Sequence, residues 1–314
     1  MGCYLVTGVA GFIGMSLAKR LLSMGNQVVG IDNLSTGYSD NIPKEVLFFK
    51  GGCQDASLYN EIPQVAYEAI FHIAGQSSGE ISFDDPVYDL RTNTESTLHL
   101  LKFALKINCH RFIYASSMSV YGDFLSGPVT ERDAINPKSF YAVGKFASEQ
   151  YLKLYEQYGI KSTSLRFFNV YGPGQNLANL RQGMVSIYLA QLFSYDKIKV
   201  QGDPDRFRDF IYIDDVIAAC LLCLSHPEAS GKAINIAYGV KTKVTELINK
   251  LITISGKQVE VEYSGKTPGD IYGSYANISL AKQILGFNPQ YNLDNGLEKM
   301  IAWAKSIYRE RVAL

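Results

Sequence analysis

Two hydrophobic rhythms alternate along the first half of the chain. Residues 3–7, CYLVT, form a short continuous apolar run. Residues 13–25, IGMSLAKRLLSMG, repeat apolar positions at intervals of three and four, and residues 27–32, QVVGID, return to the short run. Short runs bounded by turn residues read as buried strands and the three-and-four repeat as an amphipathic helix. The alternation continues with strands over 46–51 and 69–75, a helix over 92–108 and a strand over 111–117. A helix from about 140 to 158 and a strand over 162–172 follow. Strands alternating with helices predict a parallel sheet covered on both faces. After Gly172 the loops lengthen, with helices expected over 243–256, 279–286 and 295–308. The pattern predicts an α/β protein in two parts. A doubly wound parallel sheet takes residues 1–170 and about 210–238, and a smaller mixed α/β C-terminal domain takes 171–209 and 239–314. Ligands in such folds sit at the carboxyl ends of the strands, in the cleft between the parts.

The bulk numbers narrow the class of partner. The 30 basic residues balance the 30 acidic ones, which argues against nucleic acid or an anionic membrane as the main partner. No apolar run approaches a membrane span, and the N-terminus enters a strand pattern with no basic leader. Five scattered cysteines (Cys3, Cys53, Cys109, Cys220, Cys223) have no framework spacing, which predicts a reducing cytoplasm. Cys220 and Cys223 form a C-x-x-C inside VIAACLLCL. With no second ligand pair nearby they read as buried helix residues, and no metal is assigned.

The stretch TGVAGFIG places Gly8, Gly11 and Gly14 between the first strand and its helix. Gly8 permits a tight turn, Gly11 lets backbone amides approach a pyrophosphate, and Gly14 lets helix and strand pack closely. The following strand ends in an acid, Asp32, whose carboxylate suits two ribose hydroxyls and repels a 2′-phosphate; no Lys or Arg follows at once. The other reading of Asp32 is a turn cap beside Asn33. The position between strand and helix favours a Rossmann-type dinucleotide site for NAD, to which Gly8, Gly11, Phe12, Ile13, Gly14, Asp32 and Asn33 are assigned.

SFYAVGKFASE, residues 139–149, puts Tyr141 and Lys145 four places apart on one helix face. An exposed tyrosine holds its proton to about pH 10 and is a poor base at neutrality. The strand ending at Ser117 would bring a hydroxyl to the same site. The Lys145 ammonium and a positive nicotinamide ring would both favour the phenolate and lower the tyrosine toward neutrality. Ser117, Tyr141 and Lys145 are the expected catalytic residues, acting on an alcohol whose carbon gives up hydride.

These motifs, in this order, resemble the extended short-chain dehydrogenases that act on nucleotide sugars, the NAD-dependent epimerase/dehydratase family. DNLSTG, SSMSVYG, RFFNVYGPGQ, RDFIYIDDV and PGDIYGSYANISLAKQILGF carry the resemblance across nearly the whole chain. The resemblance implies that Cys53, Ile73, Ala74, Thr92 and Phe168 line the NAD site. It also implies that Asn169 and Arg208 face the substrate diphosphate and nucleotide, that Gln201 and Gly183, Met184 and Val185 line the base pocket, and that Asp270 is a further substrate-binding residue. A homodimer through helices 92–108 and 140–158 is implied as well.

Family dehydratases carry Asp-Glu immediately after the residue matching Ser117, and decarboxylases keep the second acid. Here Met118 and Ser119 stand there, neither a general acid. The remaining chemistry is a 4-epimerisation, in which Tyr141 takes the O4 proton while hydride leaves C4 to NAD and returns to the other face. In resembling hexose epimerases a bulky tyrosine at the position of Ser274 excludes 2-acetamido sugars. The small Ser274 therefore predicts UDP-N-acetylglucosamine/UDP-N-acetylgalactosamine as the leading pair, with UDP-glucose/UDP-galactose also accepted. A 4-keto reductase, a uronic-acid 4-epimerase and a non-catalytic dinucleotide sensor are the alternatives. Three positions depart from the family: Gly52 replaces an acid, Thr267 an arginine (leaving Lys266 or Arg208 for the diphosphate), and Tyr272 a frequent arginine.

Overall fold

Residues 1–124, 126–195, 197–265 and 271–312, with side chains to residue 308, are described by a computed structural model. The first half contains β1 (Cys3–Thr7), α1 (Phe12–Ser23), β2 (Gln27–Asp32), β3 (Leu47–Lys50) and β4 (Ala69–His72). It continues through α2 (Ile81–Asp84), α3 (Pro86–Leu90), α4 (Ser96–Lys106), β5 (Arg111–Ser117), α5 (Phe140–Tyr155) and β6 (Lys161–Phe167). Next come β7 (Asn169–Tyr171), α6 (Met184–Ser194), β8 (Lys197–Gln201), β9 (Phe207–Arg208), β10 (Phe210–Tyr212) and α7 (Ile213–Ser225). The chain closes with β11 (Lys232–Ile236), β12 (Thr242–Lys243), α8 (Val244–Ser255), β13 (Glu260–Ser264), α9 (Ser279–Leu285) and α10 (Leu293–Val312).

Seven strands form one parallel sheet in the order β11-β6-β5-β4-β1-β2-β3. The central strands carry consecutive apolar residues, such as Leu5-Val6, Ile70-Phe71 and Phe112-Ile113, because both faces are covered. In β1, Leu5 packs into the cluster with Leu100, Leu101 and Phe103 of α4, while Val6 packs into the cluster with Leu17 and Leu21 of α1. Ile70 and Phe71 of β4, and Phe112 and Ile113 of β5, divide between the same two clusters. This alternation makes the sheet doubly wound. The strand order reverses between β1 and β4, and the crevice beyond their carboxyl ends is the expected ligand position. The larger cluster runs on through Val185 and Leu189 of α6, Leu247 of α8 and Met300 of α10, joining the C-terminal elements to the sheet.

Two expected elements differ. Residues 162–172 are two strands. Phe168 N–H makes a last bond to the Ile236 carbonyl at 3.1 Å, and Asn169 N–H then turns to the Asp209 carbonyl at 3.0 Å. β7 accordingly pairs with β10 in a separate two-stranded sheet and carries the chain around the cleft. The helix expected from 92 is continuous back to Pro86 through a wide π turn at Arg91–Glu95. There Thr92, Ser96 and Thr97 each turn a hydroxyl back to the carbonyl four residues earlier, at 3.0, 2.6 and 2.8 Å, which loosens the regular ladder. Cys220 and Cys223 lie fully buried on α7. Among the described residues no helix is long and apolar enough to cross a membrane.

Candidate active site

The glycine turn after β1 is closed by backbone bonds. Gly8, at φ +72°, donates to the Ile31 carbonyl at 2.7 Å, and Gly11 N–H to the Gly8 carbonyl at 3.0 Å. A side chain at Gly8 would press on the backbone of Ala74, and one at Gly14 would overlap the Gly8 carbonyl oxygen. Gly11 caps α1 without a side-chain acceptor, so the first amides of that helix face the cleft, where an anion suits them. A Cβ on Gly37 would stand 2.6 Å from the Ala10 carbonyl, so the DNLSTG loop lies hard against this turn.

Asp32 caps the turn, as one of its two expected readings has it, and also lines the cleft. Its Oδ2 accepts from Ala10 N–H at 3.0 Å and its Oδ1 from Leu34 N–H at 2.7 Å, which fixes the carboxylate at the cleft wall. Each oxygen retains lone-pair capacity for a ribose hydroxyl. No Lys or Arg is among the described residues around this part of the cleft, so a 2′-phosphate would find no counter-charge beside Asp32. The turn, the open helix N-terminus and the isolated acid together fit NAD. At Gly52 the Gln54 carboxamide packs over the α-carbon, in the space a side chain would take.

A second chamber of about 720 Å³ adjoins this cleft, and Phe12, Ile13, Ile73, Gly75, Ser77, Gln175 and Gln182 line both. Gly8, Gly11, Gly14, Asp32, Asn33, Cys53, Ala74 and Thr92 face the first chamber. Ser117, Tyr141, Lys145, Phe168, Asn169, Gly183, Met184, Val185, Gln201 and Arg208 face the second. Phe168 therefore stands on the second chamber's wall, packed with Met118 and Ile271, and away from the Asp32 end expected to take the dinucleotide. Ser274 lines neither chamber. It is fully buried behind that wall, and its hydroxyl has no partner among the described residues. The expectation that it gauges sugar size is corrected accordingly, since Met118 and Ile271 form the surface there. Asp270, Lys266 and Thr267 lie outside the described residues.

β5 and α5 bring the expected catalytic residues together. Ser139 caps α5 by accepting from Ala142 N–H at 3.2 Å, which starts the helix at Phe140, one residue before Tyr141. One turn on, Lys145 reaches back over the sheet, where its Nζ donates to the Ala115 carbonyl at 2.9 Å. Tyr141 and Ser117, the last residue of β5, line the same chamber, and the serine hydroxyl favours the phenolate. Burial pushes the Tyr141 phenol up to about 12, with Asp89 adding to the rise and Ser117 opposing it. Burial likewise pushes Lys145 down to about 8, against the pull of Asp89 and Glu149. The lowering of the tyrosine expected from Lys145 and the cofactor together is thus not a property of the polypeptide alone. Desolvation dominates within the protein, and a cationic ring beside Tyr141 is the contribution left to bring it down.

Sequence reasoning missed the buried polar layer behind this group. Asp89 Oδ1 accepts from Gln76 Nε2 at 2.9 Å and Asn93 Nδ2 at 3.1 Å. Glu149 is held by Arg166 at 2.9 and 2.6 Å and by Ser116 at 2.5 Å. Ser119 stands where elimination enzymes carry an acid, and its hydroxyl lies 2.9 Å from Ser117 Oγ.

The sequence profile of the NAD dependent epimerase/dehydratase family matches residues 4–237. The UDP-glucose 4-epimerase of Mycolicibacterium smegmatis is 34% identical over 96% of this chain and 98% of its own. The crystal structure of a Thermotoga maritima UDP-glucose 4-epimerase with UDP-glucose superposes with a TM-score of 0.94 at 32% identity, covering 98% of this chain and 99% of that one. A Bacillus cereus UDP-glucuronic acid 4-epimerase, bound to UDP-glucuronic acid and NAD, superposes at 0.88 with 29% identity, covering 98% and 100%. With the glycine turn, the isolated Asp32 and the Ser117–Tyr141–Lys145 group in place, these matches show that the chain belongs to the NAD dependent epimerase/dehydratase family.

Proposed function

We propose that this protein is a UDP-hexose 4-epimerase acting on the UDP-glucose/UDP-galactose pair. The observation that carries the reading is the meeting of Ser117, Tyr141 and Lys145 in the second chamber, next to the dinucleotide cleft, with Met118 and Ser119 in place of elimination acids. NAD, when bound along Gly8, Gly11, Phe12 and Asp32, supplies a reversible hydride acceptor at the sugar C4. The chain's own residues handle the proton. Tyr141 takes it from O4 and later returns it, Ser117 holds O4 by a hydrogen bond, and Lys145 sets the local charge. Oxidation and reduction cancel, so no external reductant is consumed, which separates this reading from a 4-keto reductase.

Two of the cations that line the second chamber support a neutral sugar, because each is already paired. Lys138 pairs with Asp123, and Arg181 pairs with Glu80 at 3.1 Å and Asp84 at 2.8 Å, so these cations are engaged before a uronic carboxylate arrives. A second reading, the 2-acetamido pair, is favoured by the small wall residues Gly75, Ser77, Ser78, Gly79 and Ser119. Comparing kcat/KM for UDP-glucose, UDP-N-acetylglucosamine and UDP-glucuronic acid tests the assignment. Preference for the uronic acid would overturn it.

The division into a dinucleotide part and a nucleotide-sugar part belongs to the same reading, as does a cytoplasmic location, supported by five unpaired cysteines. So does a homodimer. Phe140, Val143, Leu154 and Tyr158 make an exposed apolar stripe along α5 and the turn that follows it, and Val87 and Leu90 of α3 are exposed as well. Val143→Glu should convert a dimer to monomers in light scattering, whereas a monomeric parent protein would refute the assembly.

A further inference from the structure

Ser117 ends β5 and caps the short turn Met118–Tyr121, and its oxygen sits between two groups of Ser119. The Ser119 backbone N–H donates to Ser117 Oγ at 3.2 Å, and the two side-chain oxygens lie 2.9 Å apart. Both serines line the second chamber. A serine oxygen has one proton to give and two lone pairs. The Ser119 N–H takes one lone pair permanently, because an amide can only donate. The other lone pair and the proton are left for Ser119 Oγ, 2.9 Å away, and for the Tyr141 hydroxyl, which lines the same chamber and whose phenolate form Ser117 favours.

That arithmetic links the direction of the chain to the state of the tyrosine. While Tyr141 carries its proton it donates to Ser117, and Ser117 donates onward to Ser119. A phenolate can only accept, so Ser117 must then donate to it, which leaves the second Ser117 lone pair to be filled by the Ser119 hydroxyl. We infer that Ser119 is a positioning residue: its hydroxyl backs the Ser117 donor and so stabilises the Tyr141 phenolate relative to the phenol. The inference rests on Tyr141 acting as the base. The charged and titratable groups that face Tyr141 are Lys145 from its own helix, Asp89 from α3 and Tyr114 from β5, and none of them touches Ser119 among the described contacts.

Ser119→Ala deletes the hydroxyl and keeps the backbone N–H, so a role confined to shaping the turn leaves it silent. The measurement is the pH profile of kcat/KM for UDP-galactose, with the phenolate absorbance of the NAD-loaded enzyme titrated in parallel against Tyr141→Phe. Losing one supporting hydrogen bond should raise the acid limb and the phenolate titration by about half to one pH unit, a three- to tenfold loss of rate below the limb. KM should change less than about twofold, and Ser119→Thr should restore the parent profile. A limb that stays in place in Ser119→Ala overturns the inference, with or without a change in KM, as does a Ser119→Thr profile displaced as far as Ser119→Ala. Activity in Tyr141→Phe would instead defeat the base assignment, whereas an inactive Tyr141→Phe with an unmoved Ser119→Ala limb defeats only the role of Ser119.

Discussion

Lys145 Nζ donates to the main-chain carbonyl of Ala115 at 2.9 Å, two residues before Ser117 on the same strand. This bond ties α5 to the carboxyl end of β5 and sets the tyrosine one turn away against the serine. The ammonium also sits 5.0 Å from the Tyr114 ring centroid and 5.7 Å from that of Tyr141, so it carries charge into a buried, aromatic-walled site.

Replacing Lys145 by Met keeps the stem and removes the charge. Turnover should fall by about two to three orders of magnitude, because the phenolate loses its only adjacent cation among the described residues. The fold should persist, since one carbonyl loses one partner. Steady-state kinetics and far-ultraviolet dichroism check both halves of this expectation.

Gly14→Ala tests the cofactor cradle. The added methyl would overlap the Gly8 carbonyl oxygen, which α1 and the turn can relieve only by separating. Affinity for NAD, measured by calorimetry, should drop at least about tenfold. Retention of parent affinity would mean that the close approach of helix to turn does not build the site.

The Arg166–Glu149 pair is buried on both sides and also engages Tyr121 at 2.7 Å and Ser116 at 2.5 Å. Removing one partner strands a charge out of water, so Arg166→Met should cost about 3–5 kcal/mol in urea unfolding. Lys250→Ala, which breaks an exposed pair with Asp294, should cost less than about 1 kcal/mol.

His72 and Asp89 pull stability in opposite directions on acidification. Thr7 Oγ1 accepts from Ile73 and Ala74 N–H, so it donates to His72 Nδ1, which fixes a neutral ring. Burial, with Lys145 nearby, holds this imidazole down at about 3. The unfolded histidine therefore takes a proton first, and stability falls as pH drops below about 6.5. Burial raises Asp89 to about 6, so the folded state takes that proton first and gains stability from pH 6 toward 4. His72→Gln should flatten the acid loss of urea midpoint, and Asp89→Asn should steepen it. Equal slopes in both variants would contradict the assignment.

The parts of this molecule that were legible in sequence are those where periodicity and geometry coincide. Leu5 and Val6 mark a strand buried on two faces, and Tyr141 and Lys145 mark one face of a helix, because the backbone repeats dictate both. The break between β6 and β7 left no trace, since Phe167, Phe168 and Val170 are as apolar as a continuous strand. The buried polar pair Asp89 and Asn93, which Gln76 joins from the loop after β4, was hidden for the opposite reason: polar residues on a helix resemble a solvent face until their partners are seen. Ser274 was misjudged because its place in a motif does not say which way it faces. Its neighbour Gly273 lies where any side chain would strike the Phe207 ring, and the segment turns Ser274 into the interior.

The central claim is a hydride shuttle with no net redox change, run by Tyr141 on a UDP-hexose. The most direct test incubates the purified protein with UDP-galactose and no added cofactor, then follows the sugar anomeric protons by NMR, with Tyr141→Phe alongside. The account predicts UDP-glucose accumulating to a stable ratio that is also reached from UDP-glucose, and no conversion in the variant. Absence of conversion with NAD supplied, or conversion that continues in Tyr141→Phe, would contradict it.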